Sequence, residues 1–226
     1  EFTGQLCTSC PDGAREIERL VDEYGDQIIP ISIHSGAFAT NGPDAANFVT
    51  TEGTDYSTTF GVTSWPAGIV SRMNNGEVLG RSDWEAKYNS IKNDAPYADI
   101  TITNTFNTGT RVLNIEVETK WLLDGDDGEN YKLQVYIVEN HIIAEQLDNG
   151  VTINDYDHKH VLRGAANTTW GTTIPVTTSG TTDNQSFNYT LDPTWTEDNC
   201  EVVAFMYKDG PNYEVMQANI KHATSN

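Results

Sequence analysis

Positive charge is scarce. The 226 residues hold 13 Lys+Arg against 33 Asp+Glu, a formal net charge of -20. A surface this acidic repels phosphate backbones and anionic headgroups, which excludes nucleic acid as a main partner. Long apolar runs are missing as well. A stretch such as Val202-Val203-Ala204-Phe205-Met206-Tyr207 is far too short to span a bilayer. Cysteine is sparse, with 3 residues, so the chain is not a disulfide-dense scaffold. There is no nucleotide-binding glycine pattern and no Ser-centred hydrolase motif. No motif calls for a cofactor. A basic start followed by an apolar stretch is also lacking. The opening Glu1-Phe2-Thr3-Gly4 reads as the tail of a strand, so any signal or lipid anchor is expected before Glu1, and membrane contact only through such an anchor.

What is present is globular, with 37% hydrophobic and 20% charged residues. The grammar changes near Ala95-Pro96. The first part mixes helix and strand signals. Pro11 to Tyr24 predicts a helix, with Ala14, Ile17, Leu20, Val21 and Tyr24 on one face and Gly25 as its stop. Gln27 to His34 reads as a strand, with Pro30 an awkward member. Residues 35–53 read as a loop with one helical turn around Ala45 to Val49, followed by a short helix from Thr54 to Phe60. Ala67 to Arg72 reads as a strand, Asn74-Asn75-Gly76 as a hairpin turn, and Ser82 with Glu85 as the capping box of a last helix. Past the boundary, seven strands are expected: Asp99–Asn107, Val112–Leu122, Tyr131–Asn140, Asp157–Arg163, Ser186–Leu191, Cys200–Lys208 and Tyr213–Lys221. Thr172–Gln185 reads as a loop. Alternating elements imply an α/β sheet covered by helices. Seven short strands imply a β-sandwich of immunoglobulin-like type.

Chemistry concentrates at Cys7-Thr8-Ser9-Cys10. This spacing puts both sulfurs on one side of a helix's first turn, where unpaired N–H groups favour a thiolate. Cys7 is the expected nucleophile and Cys10 the resolving thiol. Half a zinc site or a small structural disulfide are the alternatives, and zinc lacks a second ligand pair. Together with Phe60-Gly61-Val62-Thr63-Ser64-Trp65-Pro66, the motif resembles the thioredoxin family. The resemblance implies a cis Pro66 beside the sulfurs, with Trp65 and Pro66 holding an extended substrate backbone, and a buried acid at Glu1. It departs from that family at Leu6, where an aromatic is usual, and at Thr8-Ser9 between the cysteines.

A second resemblance spans nearly the whole chain. Glu1 to Pro11, Ile31-Ser32-Ile33-His34-Ser35-Gly36, Tyr156-Asp157-His158-Lys159-His160-Val161-Leu162-Arg163, Asn199 to Phe205 and Val215-Met216-Gln217-Ala218, in this order, resemble the Omp28-related outer-membrane proteins of Bacteroidetes-type bacteria. This implies export to the cell envelope. The expected architecture is a thioredoxin-like domain over residues 1–96 and an immunoglobulin-like sandwich over 97–226. Two functions stay open: thiol–disulfide exchange with protein or peptide partners, or a non-catalytic surface protein with a structural Cys7–Cys10 bond. His34 is expected at a strand end, either approaching the thiols or, more simply, capping the strand or meeting solvent. His158 and His160 are expected on one side of a strand, as a packed pair or, less simply, as metal ligands. Asp124 to Glu129 fails the calcium-loop pattern and reads as a solvated hairpin tip. Cys200 reads as a buried inert thiol, and Trp121, Trp170 and Trp195 as core or sheet aromatics.

Overall fold

The computed structural model describes residues 1–39, 47–175 and 177–224. Strand outweighs helix, 40% against 21%, so the chain is mostly β-sheet. In chain order the strands are β1 (Phe2–Thr3), β2 (Ile33–His34), β3 (Ala98–Asn107), β4 (Val112–Trp121), β5 (Tyr131–Glu139) and β6 (Ile142–Asp148). They continue as β7 (Val151–His158), β8 (Val161–Ala165), β9 (Thr172–Ile174), β10 (Thr182–Thr190), β11 (Cys200–Lys208) and β12 (Val215–His222). The helices are α1 (Cys10–Tyr24), α2 (Thr51–Thr59) and α3 (Trp84–Asn89).

The chain forms two compact units, each discontinuous in sequence. One combines residues 1–70, 76–93 and 140–164, and the other 71–75, 94–139 and 165–226. The composition change near residue 96 therefore marks one crossing of several. Residues 140–164, which sequence grammar groups with the all-strand half, belong to the cysteine-bearing unit.

In the first unit β1 runs parallel to β2. Phe2 also pairs antiparallel with Ala67, Gly68 pairs antiparallel with Leu79, and His34 pairs parallel with Val49. Helix α1 carries Pro11 in its first turn, where a missing N–H costs nothing. It buries Ile17 and Leu20 against Trp84 and ends at Gly25, whose φ of 59° suits glycine. Helix α2 begins ahead of the expected Thr54 because Thr50 Oγ1 accepts from the Gly53 N–H at 2.9 Å. The Ser82–Glu85 capping box does not form. Residues 81–83 make a 3-10 turn, and Glu85 instead accepts from Tyr24 Oη at 2.8 Å and Arg19 at 2.7 Å. The strand expected over Gln27–His34 shrinks to Ile33–His34, because Pro30 cannot donate to a ladder. Only Ala67 and Gly68 of the next expected strand pair as such. Ser71, Arg72, Asn74, Asn75 and Gly76 all adopt left-handed φ, so this connection is longer than a tight hairpin. Of the expected helical turn near Ala45, residues 45 and 46 lie outside the described residues, and 47–49 are not helical.

In the second unit β4 sits between β3 and β10, and β11 sits between β5 and β12, with β9 added to β5; these ladders are all antiparallel. Strict alternation builds the core. Leu113, Ile115, Val117 and Trp121 of β4 share one buried cluster with Leu133, Val135 and Ile137 of β5 and Val202, Ala204 and Met206 of β11. The Thr172–Gln185 loop in fact contains β9 and the start of β10. Trp121 is core, and Trp195 packs against it. Cys200 is a buried thiol outside the disulfide at the start of β11, its Sγ donating to Thr196 O at 3.4 Å. The acidic tip is tied internally: Asp124 accepts from the Ser179 N–H at 2.7 Å, and Asp126 pairs with Lys208 at 2.9 Å, which holds its carboxyl below the usual range.

Candidate functional site

The C-x-x-C loop is shaped by close backbone contact. A Cβ on Gly4 would fall 2.5 Å from the Phe38 carbonyl, so only glycine fits there. The Leu6 N–H donates to Phe38 O at 2.9 Å, the Cys7 N–H to Gly4 O at 3.0 Å, and the Cys10 N–H to Cys7 O at 3.2 Å. Cys10 opens α1. Cys7 and Cys10 are joined by a disulfide with Cα atoms 5.3 Å apart. Neither is accessible: Cys7 is 3% and Cys10 1% exposed.

The β6–β7 hairpin is bonded along this loop. Its tip is Asn149-Gly150, at φ 48° and 83°, the residue pair and backbone region of a type I′ turn. The tip is bonded to the loop. Asn149 N–H donates to Thr8 O at 2.9 Å, Gly150 N–H to Thr8 Oγ1 at 2.7 Å, and Leu147 N–H to Gln5 O at 2.8 Å. Buried Gln146 inserts behind it, its Nε2 donating to Leu147 O at 2.9 Å, Cys7 O at 3.2 Å and Gly4 O at 3.3 Å. Arg15 of α1 pairs with Asp148 at 3.0 Å and with Asp12. Sequence reasoning passed over this hairpin, although Asn149-Gly150 between two strand-like runs was a legible turn signal.

The Trp65–Pro66 bond is cis. A Cβ on Gly13 would lie 2.9 Å from Pro66 Cβ, so Pro66 rests on α1 one turn past Cys10. Ala67 then pairs with Phe2 through hydrogen bonds of 2.7 and 3.2 Å. The Trp65 ring lies over Gly36 and edge-on to Phe38, with centroids 5.8 Å apart. The chain thus gathers Cys7, Cys10 and Pro66 around the start of α1, and Trp65 leans toward the Gly36–Phe38 turn.

The histidines arrange differently from expectation. The strand expected over Asp157–Arg163 breaks at His160, whose φ is 57°, so His158 and His160 do not share a strand face. His34 packs on Phe48 and His158, at ring distances of 4.8 and 5.7 Å. His158 donates from Nε2 to Glu145 O at 3.3 Å. Burial pushes His158 and His160 down to about 4, and burial followed by the nearby His158 and Arg163 pushes His34 well below its ordinary value. His141 stands apart, paired with Asp157 at 3.0 Å. Among the described residues no group of three or more His, Cys, Asp or Glu is placed to hold a metal ion. His34, His158 and His160 instead line a cavity of about 600 Å³ in the first unit, together with Glu1 and Cys10.

Comparison with known proteins follows the same lines. HBP35 of Porphyromonas gingivalis superposes with a TM-score of 0.76 at 20% identity, covering 98% of this chain and 73% of that one, which shows a shared fold. A domain of the outer membrane lipoprotein Omp28 from Porphyromonas gingivalis is 22% identical over 55% of this chain and 93% of its own length, with a TM-score of 0.39. No curated protein matches. Residues 54–224 match the family described as outer membrane protein Omp28, three quarters of the chain. The chain belongs to the Omp28 family and is an exported, outer-membrane-associated protein of the bacterial cell envelope.

Proposed function

We propose that this is a non-catalytic binding protein of the envelope, built from a thioredoxin-like unit and an immunoglobulin-like sandwich, in which Cys7–Cys10 is a structural disulfide. The thioredoxin-like reading is supported by the parallel β1–β2 pair, the antiparallel Phe2–Ala67 pairing, a C-x-x-C opening α1 and a cis proline against that helix. The sandwich reading is supported by two antiparallel sheets with one alternating core.

One observation carries the structural role of the disulfide. Exchange needs a thiolate to reach a sulfur in line with the S–S bond. Cys7 is only 3% exposed, and the hairpin is bonded to both sides of its loop through Gln5 and Thr8. The partner would then be a peptide, glycan or protein recognised elsewhere on the surface.

Thiol–disulfide exchange is the second reading, favoured by the cis Trp65–Pro66 bond beside α1. There, a substrate thiolate attacks Cys7, and Cys10 leaves as a thiolate. The mixed disulfide is resolved by a second substrate thiol, whose electrons reduce Cys7. Two measurements separate the readings. A structural bond gives a reduction potential below roughly −300 mV and no turnover in insulin reduction. Turnover that is abolished by Cys7→Ser establishes exchange and removes the structural reading.

A further inference from the structure

Among the described residues β6 and β7 pair only with each other, as a sheet of two strands. A lone two-stranded hairpin is marginal in water, so its position depends on what it docks against. At its base, His158 packs on His34 and Phe48, with ring centroids 5.7 and 5.0 Å apart. At its tip, the partners are backbone and hydroxyl oxygens of the C-x-x-C loop.

Those oxygens fall in two groups. Gly4 O and Gln5 O, which accept from Gln146 Nε2 and the Leu147 N–H, precede the disulfide ring. Cys7 O, Thr8 O and Thr8 Oγ1, which accept from Gln146 Nε2, the Asn149 N–H and the Gly150 N–H, lie inside it. Thr8 is exposed, so packing does not hold it in place. The ring that presents it is closed by the Cys7–Cys10 bond and by the 3.2 Å bond from the Cys10 N–H to Cys7 O. Cutting the S–S bond returns torsional freedom to residues 7–10, and the tip loses the fixed acceptors on which it rests. The hairpin also supplies Gln146, Tyr156 and His158 to the lining of the cavity of about 600 Å³, beside Cys10, Ala14 and Ile17 of α1. A hairpin that leaves takes that part of the wall with it. We propose that the Cys7–Cys10 bond is a redox latch: made, it docks the β6–β7 hairpin, and reduced by a dithiol, it releases the tip and opens the cavity beside α1. The exchange balances, since the dithiol closes into its own cyclic disulfide while Cys7 and Cys10 become thiols. The latch stands whether or not Cys7 also serves protein substrates, because it needs only that the bond be made or broken.

The test is amide hydrogen exchange, read by NMR on the full chain in three forms: oxidised, reduced in urea and refolded in dithiothreitol, and carrying Cys7→Ser with Cys10→Ser. In both forms without the bond, exchange at Asn149 and Gly150 should rise about 20-fold, the loop-closure entropy of so short a ring, with a smaller rise at Leu147. Amides of α1 past its first turn, and those of β4, should keep their protection. Unchanged exchange at Asn149 and Gly150 overturns the latch. So does an equal loss of protection along α1, which makes the bond a staple of the whole unit and not of the hairpin. If the double variant does not fold, the dithiothreitol form carries the same expectation and the same refutations.

Discussion

Replacing Gln146 with alanine should open the disulfide to reductants without unfolding the protein. The side chain donates 3.2 and 3.3 Å bonds to Cys7 O and Gly4 O and is 3% exposed. Both acceptors keep a second backbone donor, Cys10 N–H and Cys7 N–H, so neither is orphaned by the change. Two long bonds at roughly 0.5–1 kcal/mol each, plus lost packing of a small side chain, sum to about 2 kcal/mol. That energy holds the hairpin against the loop, so the population with an uncovered Cys7 should rise about 30-fold. The assay is the pseudo-first-order rate of reduction by dithiothreitol under native conditions, read by alkylation and intact mass. Ile143→Ser serves as control, since Ile143 is 62% exposed on the hairpin's outer side and should leave the rate unchanged. A Gln146→Ala protein that reduces at the wild-type rate refutes the hairpin as the cover.

Gly150→Ala should act in the same direction, costing roughly 1–2 kcal/mol because its φ of 83° strains any L side chain, and the same reduction assay reads it. Stability should fall with acid in a defined window. His158 and His160, held near 4 when folded, take up protons on unfolding between about 6.5 and 4, and His34 acts in the same sense. Their contribution is complete above about 6.5 and is lost on acidification; Glu1, raised when folded, opposes them in the same window. Urea midpoints between those limits should flatten in His158→Gln with His160→Asn, and an unchanged slope would count against the assignment. In the second unit, Arg72→Lys should lower the unfolding midpoint despite the retained charge. Arg72 lies 4.9 to 5.8 Å from the rings of Tyr207, Phe205 and Trp170 and donates to Tyr136 Oη at 2.9 Å, a planar fit that an ammonium group loses at a cost of roughly 2 kcal/mol. A midpoint equal to wild type would refute that reading.

Local rules read this sequence well where local physics decides. The alternation of Leu113, Ile115 and Val117, the Pro11 start and the Gly25 stop each follow from one element's own chemistry, and the structure places them within a residue or so. The cis bond before Pro66 was legible through the resemblance to thioredoxins, not from local chemistry. Failures came where a distant partner decided. Glu85 abandoned a capping box for Arg19 and Tyr24, and Ile28 to Ile31 found too little ladder to pair with. The largest miss was Ile142–His158. No strand was expected over residues 142–156, so the segment fell to the sandwich only through the boundary near residue 96, and only long-range bonds such as Asn149 to Thr8 reveal which unit it completes.

That return of the chain carries a cost in time. A polypeptide emerging from a membrane pore delivers residues 1–93 well before residues 140–164, so the first unit must wait, unfinished, for its last piece. Its closing contacts, such as Gln146 with Gly4, span most of that delay, and contacts so distant in sequence form slowly. During the interval both thiols are bare, and whatever oxidant meets them decides whether the covered bond is made before the door shuts on it.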